Sequence, residues 1–472
     1  MLCWLAIIDS YYYSFYTLVI ISYYIMYRPG GFPEYTPKEQ KIFDDIQDII
    51  RTIFVQRNFQ HIWTPAVERN DILLKWWDTV ANEIFGLVGL KDFEKSIEVS
   101  DIMTNDNPNP YVWQMLAIKN WFVDSKKDYS LHFDLTVPFA RYVLDHLQEL
   151  TFPFKRYQMQ PVWRGERQQR GRYKEFRQCD VDSIWKSWSN LWYWYAVETI
   201  STLQSAIDEV FTSFSLNKAF VTHISHIWLT KLYLSSLLQD DWKVQSVVSL
   251  LDKFYKKEYS VFVWELIECV WQEHADNICN LIQTKDYSLL ENYDTDSFDI
   301  LHNTITILNK LWCNVVYDIT IVRWLWYYTD IVFETFIENE INLWSICSWG
   351  WYENFTKFID PKNVFSGIGG SIGLSRLMEL LLENETQVSD MENYMFLNFE
   401  DTFDSIISVY KKFLSEDKIC ELYPIEAKFW KQLEYADKKW IRYAVILGTT
   451  ELQKNEYQIK DLKTGETTLH SL

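Results

Sequence analysis

Glycine is scarce in this chain, and tryptophan is abundant. The 472 residues include 13 glycines and 23 tryptophans. Glycine usage is therefore under half of the roughly 7 percent that is ordinary in globular proteins. The two counts together, 36 residues, come close to normal glycine usage plus a little tryptophan.

Cysteine is infrequent and follows no framework. The seven cysteines are odd in number, scattered, and never spaced as CxxC, which excludes a disulfide scaffold and a thiolate zinc site and indicates a reducing compartment. His223 and His226 lie three residues apart, but no nearby cysteine or histidine completes a ligand set, so we expect no metal there.

Positive charge is also in short supply, with 45 basic residues against 65 acidic ones and a net charge of -20. A chain this acidic repels nucleic acid on average. The segment from Lys155 to Arg177 is the exception, with eight basic residues against Glu166 and Glu175. Such a local excess indicates that a polyanion is bound at one chosen place.

The same segment alternates with the two-residue period of a strand. Arg164 and Glu166 would share one side of a first arm, and the second arm would carry Phe176, Gln178, Asp180 and Asp182 on one face. The polar stretch 167–172 between them contains Gly171, which suits a turn. The pattern predicts an antiparallel hairpin with a functional face, and the alternative is an exposed hairpin whose charges are merely solvated.

The first 27 residues are almost wholly apolar or aromatic and long enough to span a bilayer. They lack a basic start and a small-residue cleavage site, and Asp9 interrupts the run. We expect the functional chain to begin near Arg28, with residues 1–27 a misassigned start or an extension. A membrane anchor is the alternative.

At this length we expect two or three domains. Periodicity predicts a helix from Lys38 to Arg57, a strand from Leu131 to Thr136 and a long helix from Leu191 to Phe214. Residues 229–310 are helical in pattern and suggest an inserted all-helical module. Strand character returns from Val315 to Phe336, then a glycine-bearing strand and helix span 367–383. Alternating strands and helices in 393–472 are typical of a small α/β domain.

Several separated motifs resemble the histidyl-tRNA synthetase family, a class II aminoacyl-tRNA synthetase. Residues 162–182 are similar to its motif 2, and 367–377 with Arg376 to its motif 3. Residues 321–334 and 345–354 resemble its two histidine-specific segments. The tail at 431–437 and 460–462 resembles its anticodon-binding domain.

The resemblance implies an α+β fold: a class II synthetase catalytic core with an antiparallel sheet flanked by helices, a helical insertion, and a C-terminal α/β anticodon-binding domain. The expected boundaries are a leader at 1–27, core parts at 28–228 and 311–388, the insertion at 229–310, and the anticodon-binding domain at 393–472.

The resemblance also implies roles for individual residues. Arginines suit a clamp on phosphate oxygens, and an aromatic ring can stack on adenine. The expected catalytic residues are Arg164 and Arg323. The expected ATP-binding residues are Arg164, Glu166, Arg172, Phe176 and Arg376. The expected histidine-binding residues are Asp134, Thr136, Arg164, Gln178, Asp182, Arg323, Tyr327 and Tyr328. Arg167 and Arg170 are expected to touch the tRNA acceptor stem. For Asp134, capping of the following helix is the alternative.

The implied activity is ligation of histidine to its tRNA with ATP and Mg2+, through histidyl-adenylate, in a cytoplasmic homodimer that uses neither DNA nor a membrane. A pocket that pairs both imidazole nitrogens rejects apolar isosteres, so no editing domain is expected. Two alternatives are a synthetase-like regulatory subunit of ATP phosphoribosyltransferase and an inactive synthetase-like module.

Tryptophan stands at many positions where the family carries glycine. An indole there would clash or strain the backbone. We therefore hypothesise that the gene uses UGA for glycine, whereas Trp163 occupies a position that tolerates bulk and should be a true tryptophan. The positions are Trp76, Trp77, Trp185, Trp324, Trp326, Trp344, Trp349, Trp430 and Trp440.

Overall fold

The structure is a computed structural model. It describes residues 29–87, 129–167, 169–186, 193–322, 328–340, 345–384, 392–424 and 427–472. The chain divides into two compact units, 1–386 and 387–472. The leader at 1–27 and the predictions that concern it lie outside the described residues.

The lead-in helix α1 spans Pro37–Gln56, close to the prediction. Thr36 begins it with a capping box, in which its side chain accepts from the Glu39 amide and the Glu39 carboxylate accepts from the Thr36 amide. This arrangement satisfies two of the amide donors that every helix start leaves open. The apolar face, which includes Ile46, Ile50 and Phe54, is fully buried.

The larger unit is built around an eight-stranded sheet in the order β1-β4-β5-β10-β9-β8-β6-β7. Only the two edge pairs, β1 with β4 and β6 with β7, run parallel, and the remaining pairs are antiparallel. A separate two-stranded sheet pairs β2 with β3. The strands are β1 Gln60–His61, β2 Val67–Arg69, β3 Tyr129–Leu131, β4 Phe154–Trp163, β5 Glu175–Trp185, β6 Phe220–His226, β7 Val315–Tyr317, β8 Tyr328–Ile337, β9 Cys347–Tyr352 and β10 Ser366–Gly373.

Helices lie along the sheet and beside it. The long helix α4, predicted from periodicity, packs against α1 and against β10. The helices of this unit are α1, α2 Asn70–Trp77, α3 Thr136–Asp145, α4 Tyr193–Ser213, α5 Ile227–Leu238, α6 Asp241–Leu251, α7 Tyr259–Val270, α8 Gln272–Thr284, α9 Thr295–Lys310 and α10 Leu374–Glu383.

Residues 227–310 fold into five successive helices, α5 to α9, as their pattern predicted. Asp240 and Asp294 begin α6 and α9 by accepting hydrogen bonds from amides of the first turn. Helix α9 packs on α4, and α5 packs on β8. That these helices form an insertion bounded at 229 and 310 stays a prediction.

The predicted hairpin is confirmed, but its first arm is shorter than predicted. β4 ends at Trp163, which pairs with Glu175 of β5. Arg164 and Glu166 therefore belong to the connection and not to a strand. The Gly165 amide turns away from β5 and donates to the carbonyl of Glu83 at 2.7 Å.

The predicted strand from Leu131 to Thr136 was wrong: β3 spans Tyr129–Leu131 and shares only Leu131 with it, and α3 begins at Thr136. The Asp134 carboxylate accepts from the Val137 amide at 3.2 Å, so it caps the helix. A short polar side chain that caps a helix ended the strand pattern early.

The C-terminal unit is a five-stranded sheet in the order β12-β11-β13-β14-β15 with three helices. Neighbouring side chains of β11 face opposite sides: Phe396 packs with Ile406 of α11, and Met395 packs with Ala436 of α12. This α/β unit was predicted. Its elements are β11 Asn393–Phe396, α11 Phe403–Ser415, β12 Ile419–Leu422, α12 Phe429–Lys438, β13 Tyr443–Ile446, α13 Thr449–Lys454, β14 Glu456–Asp461 and β15 Thr467–Ser471.

Among the described residues, no helix is both long enough and apolar enough to cross a bilayer.

Candidate active site

A cavity of about 120 Å³ opens where β5 and β10 meet the connection that follows β4. Its walls combine basic side chains with an aromatic ring and several hydroxyl groups. They are Arg164, Glu166, Gly171, Arg172, Phe176, Gln178, Ser345, Ile346, Cys347, Ser348, Ser371, Gly373, Ser375 and Arg376. All five predicted ATP-binding residues and Gln178 are therefore brought together.

Arg164 is held in place from two sides. Its Nε donates to the Phe133 carbonyl at 3.1 Å, and its guanidinium lies 4.5 Å from the Phe133 ring centroid and 5.1 Å from that of Phe176. Cation–π contact on both rings fixes the plane of the guanidinium. Arg164 lines the cavity in this position.

Two further arginines reach the same cavity from different elements. Arg172, in the connection, pairs with Glu166. Arg376, in the first turn of α10, donates to the Ser345 carbonyl. Since Glu166 is the single acidic residue among the described walls, the cavity favours an anion.

Gly171 allows the connection to approach Arg376. Its φ of +64° lies in the left-handed region, and a Cβ placed there would meet Arg376 Cγ at 3.3 Å. A residue with a side chain would be strained and would press on the arginine.

Glu83 is a site residue that the sequence reasoning missed. Burial raises the pKa of Glu83, and the nearby charge of Glu166 raises it further. Glu83 ends a short 3-10 helix, Asp78–Glu83, far from the hairpin in sequence, so no local pattern signalled it. Two carboxyl groups therefore meet beside the arginines.

A second cavity of about 650 Å³ adjoins the first, since Arg164, Arg172, Ser345, Ser348 and Arg376 line both. Its other walls come from β6, from β8 and from the helical segment. They include His223, Lys253, Tyr255, Lys256, Thr320, Ile321, Val322 and Glu334.

Beneath the cavities, β5 carries a buried ionic cluster. Asp182 lies 2.7 Å from the Arg156 guanidinium and accepts from the Tyr352 hydroxyl at 2.6 Å, while Asp180 lies 3.7 Å from the same guanidinium. Burial raises the pKa of Asp182, and Arg156 opposes that shift. Gly369, opposite Asp182 on β10, leaves room for the carboxylate, because a Cβ there would come 2.1 Å from its oxygen.

This cluster corrects the interpretation of the basic segment. Arg156 is fully buried between the two aspartates, Lys155 bonds the Arg57 carbonyl at 2.7 Å, and Arg177 bonds Gln47. Those three cations serve the fold and do not face a polyanion. Asp182 bonds inside the cluster and is absent from the walls of both cavities.

Asp134 and Thr136 are both buried and, like Asp182, line neither of the two cavities, although the charge of Arg164 acts on the Asp134 carboxyl. Burial raises the pKa of Asp134 to about 6, against the lowering effect of the Val137 amide and of Arg164. The alternative interpretation of Asp134 as a helix cap is confirmed, and capping leaves its second oxygen for another role.

The remaining predicted residues are placed as follows. Tyr328 is buried at the start of β8, opposite Tyr352. Arg167 is exposed, and Arg170 is exposed and paired with Glu383. Arg323, Trp324, Trp326, Tyr327 and Trp344 lie outside the described residues.

Comparison with known proteins agrees with this geometry. The anticodon binding domain family matches residues 395–472. The histidine–tRNA ligase of Clostridium acetobutylicum is 31% identical over 457 residues, covering 92% of this chain and 95% of that protein. The chain belongs to the histidine–tRNA ligase family. Another member, from Flavobacterium johnsoniae, is 31% identical and covers 93% of this chain and 95% of its own length.

Solved structures extend the comparison. The crystal structure of histidyl-tRNA synthetase from Nostoc sp. PCC 7120 superposes with a TM-score of 0.75 at 25% identity, covering 94% of this chain and 97% of that one. This match confirms the predicted α+β fold. An ATP phosphoribosyltransferase regulatory subunit/histidyl-tRNA synthetase from Bacillus halodurans C superposes at 0.63 with 16% identity, covering 87% and 96%, which shows a shared fold alone. The regulatory alternative is therefore not favoured.

Proposed function

We propose that this histidine–tRNA ligase family chain activates L-histidine with ATP in the arginine-lined cavity. A histidine carboxylate oxygen attacks the α-phosphorus, the bond to the diphosphate breaks, and histidyl-adenylate forms. The histidyl group then passes to the 3' end of histidine tRNA and AMP leaves. The observation that carries this proposal is the convergence of Arg164, Arg172 and Arg376 on one cavity.

The three arginines divide the triphosphate between them. Arg164, clamped between two rings, is placed for the α-phosphate, where negative charge develops during the attack. Arg172 and Arg376 take the outer phosphates. Phe176 supplies a ring face for adenine beside the arginine that it packs on.

Histidine would be held on the β5 side of the cavity. Gln178 lines the cavity wall, and the second oxygen of Asp134 offers an acceptor for the α-ammonium near Arg164 and Thr136. Tyr328 and Tyr327 are proposed for the imidazole, and Arg323 for the carboxylate, as the family resemblance implied. Asp182 would act from beneath through Tyr352.

Mg2+ fits the carboxylate pair at the edge of the cavity. Glu83 and Glu166 interact directly, and the pKa of Glu83 is raised first by burial and then by the charge of Glu166. Oxygen donors of this kind suit Mg2+, which is usually held by one or two carboxylates together with substrate phosphates. When bound, it would neutralise phosphate charge, while Arg172 orients Glu166.

The tRNA would be read at two places. Arg167 and Arg170, exposed in the connection after β4, are proposed for the acceptor stem, and the unit 387–472 for the anticodon. We also propose that the chain acts as a cytoplasmic homodimer. The expected domain boundaries, at 228, 310 and 388, belong to the same proposal.

Histidine-dependent exchange of pyrophosphate into ATP tests this function. Arg164→Lys keeps the charge but loses the planar fork, and we expect the exchange rate to fall by about 100-fold or more, as when an oxyanion donor is removed. Arg177→Lys in β5 is the matched control, because Arg177 bonds Gln47 away from the cavity. The variants are made in the chain that carries glycine at the hypothesised UGA positions. Absence of exchange by that folded parent chain, or equal exchange in both variants, would refute the proposal.

A further inference from the structure

A buried hydrogen-bond network joins the helical segment to the wall of the larger cavity. Asp318, 2% exposed, follows β7. Its Oδ2 accepts from the Tyr255 hydroxyl at 2.5 Å and lies 2.6 Å from His223 Nδ1. Its Oδ1 accepts from the amide and the hydroxyl of Thr320 at 2.9 and 2.6 Å.

The network has strong anchors. Burial would raise the pKa of Asp318, but His223, Thr320 and Tyr255 outweigh burial and hold that pKa at about 2. A carboxylate that accepts several hydrogen bonds in a buried place is costly to disturb, since each lost donor leaves part of its charge unsatisfied.

The position of the network gives it a role. Tyr255 lies in the short 3-10 helix Phe254–Lys256, between α6 and α7. Asp318 and Thr320 lie in a different part of the chain, the segment 318–322 that follows β7. Tyr255, Thr320, Ile321 and Val322 line the cavity that also exposes the three site arginines. The helical segment, through Tyr255, therefore bonds Asp318, the residue from which the cavity-lining residues 320–322 continue.

We infer that Tyr255 is a positioning residue, which acts through Asp318 to hold residues 320–322 as the wall of the substrate cavity. This inference rests on the proposed function, since the wall matters only if substrate lies against it. The phenol touches no reacting atom. It fixes the backbone from which the histidine-specific segment continues.

The test is Tyr255→Phe, which removes one hydroxyl and keeps the ring. We expect the KM for histidine to rise about tenfold, the loss expected for a hydrogen bond to a charged group, with a smaller change in kcat. Tyr259→Phe is the matched control, because the Tyr259 hydroxyl accepts from Gln283 within the helical segment and faces solvent.

A second variant, Asp318→Asn, should raise the same KM, and the two changes combined should raise it by less than their product. Equal KM values for Tyr255→Phe and Tyr259→Phe would overturn the inference, and so would a product-like effect in the double variant. If the parent chain with glycine at the hypothesised UGA positions shows no exchange at all, the proposed function fails instead.

Independently of this network, three tryptophans adopt a backbone conformation that favours glycine. Trp271, Trp312 and Trp440 have φ of +73°, +66° and +53°. Trp271 combines its φ with ψ 158°, a region that is essentially restricted to glycine. Five of the other eight non-glycine residues with positive φ are Asn or Asp, which tolerate it.

These tryptophans stand where glycine ends helices. Trp271 follows α7, Trp312 comes shortly after α9, and Trp440 comes shortly after α12. Glycine is the residue that commonly occupies such positions. Their side chains are also 72%, 95% and 59% exposed, so packing does not account for an indole there.

We infer that the codons for Trp271, Trp312 and Trp440 are UGA triplets that the source organism decodes as glycine. Exposed tryptophan is unusual in a soluble fold, yet nine tryptophans are largely exposed in the part of the chain that the structure describes. Glycine at positions 271, 312 and 440 would remove three of these exposed indoles and relax the three helix ends.

Mass spectrometry of the protein isolated from its own cells decides this. Peptides that span positions 271, 312 and 440 should carry glycine, and the gene should have UGA codons there. The peptide that spans position 163 should carry tryptophan, and its codon should be UGG. Tryptophan in the native peptides at 271, 312 and 440 would overturn the inference.

The free energy of unfolding gives an independent test. The protein for this test is made with tryptophan at every position where the sequence shows tryptophan. Trp271→Gly should raise the midpoint of urea unfolding, because it relieves the backbone. Trp264→Gly, on an exposed face inside α7, should lower that midpoint, because glycine weakens a helix interior. A lower midpoint for Trp271→Gly would contradict the inference.

Discussion

Gly171 lies directly against Arg376: a Cβ on Gly171 would come 3.3 Å from Arg376 Cγ, and the φ of Gly171 is +64°. The connection after β4 and the first turn of α10 thus meet at a residue without a side chain. Arg172, the next residue along the connection, and Arg376 both line the cavity.

Gly171→Ala should therefore weaken ATP use as well as stability. The left-handed backbone costs an alanine about 1 kcal/mol, and the added methyl presses on Arg376, so the KM for ATP should rise severalfold. Gly465→Ala is the matched control, since Gly465 has φ +79° but nothing within 4 Å of a Cβ. Pyrophosphate exchange and urea unfolding measure both effects. An unchanged KM for ATP in Gly171→Ala would count against the close approach.

Arg156 should be essential to folding, although it never meets substrate. Arg156→Met leaves Asp180 and Asp182 buried without their shared cation, and we expect a loss of about 3–5 kcal/mol in the free energy of unfolding. Arg69→Met removes an exposed, solvent-screened pair with Asp71 and should leave the free energy of unfolding almost unchanged. Equal losses in urea denaturation would show that burial is not the cause.

Asp134 should give the stability a distinct pH dependence. Because burial raises its folded pKa from 3.8 to about 6, the folded chain binds more protons than the unfolded one in that window. The contribution of Asp134 to stability is then full below about pH 4, declines as pH rises to about 6, and is constant above, a change of about 3 kcal/mol. Asp134→Asn keeps an acceptor for the Val137 amide and should flatten this part of the curve. If the free energy of unfolding depends on pH in the same way in both proteins, the raised pKa of the buried Asp134 carboxyl is contradicted.

Gln432 should separate tRNA charging from histidine activation. It is fully buried in the C-terminal unit, donates to the carbonyls of Asn398 and Ala427 at 2.7 and 2.8 Å, and accepts from the Asn398 amide at 2.7 Å. Gln432→Met leaves these backbone groups unpaired, at a cost of about 1–3 kcal/mol each. We expect tRNA charging to fall severalfold while pyrophosphate exchange is kept. Gln458→Met, at a partly buried position, is the control and should preserve both activities.

The sequence predicted correctly those elements whose pattern lies within one continuous segment. The period of α1, the β4–β5 hairpin and the α/β pattern of 393–472 were all readable from local alternation and capping residues. The gathering of Arg164, Arg172, Phe176 and Arg376 came from motif resemblance, because nothing local joins position 376 to position 164.

The failures share a physical cause. Arg156 was counted among the cations of a polyanion-binding segment, because composition cannot show that Asp182 of the next strand lies opposite it and that Asp180 lies nearby. Glu83 and the Tyr255–Asp318 contact were missed since their partners are distant in sequence. Asp134 was placed in a strand, where a capping carboxylate had already begun a helix.

The pairing of β5 on both of its edges determines how rigid this strand is. β5 pairs with β4 from Glu175 to Ile184 and with β10 from Gln178 to Trp185. Amides in this doubly paired stretch should exchange with solvent deuterium only on global unfolding. Gln178 and Asp182 would then stay rigid while substrates enter and products leave.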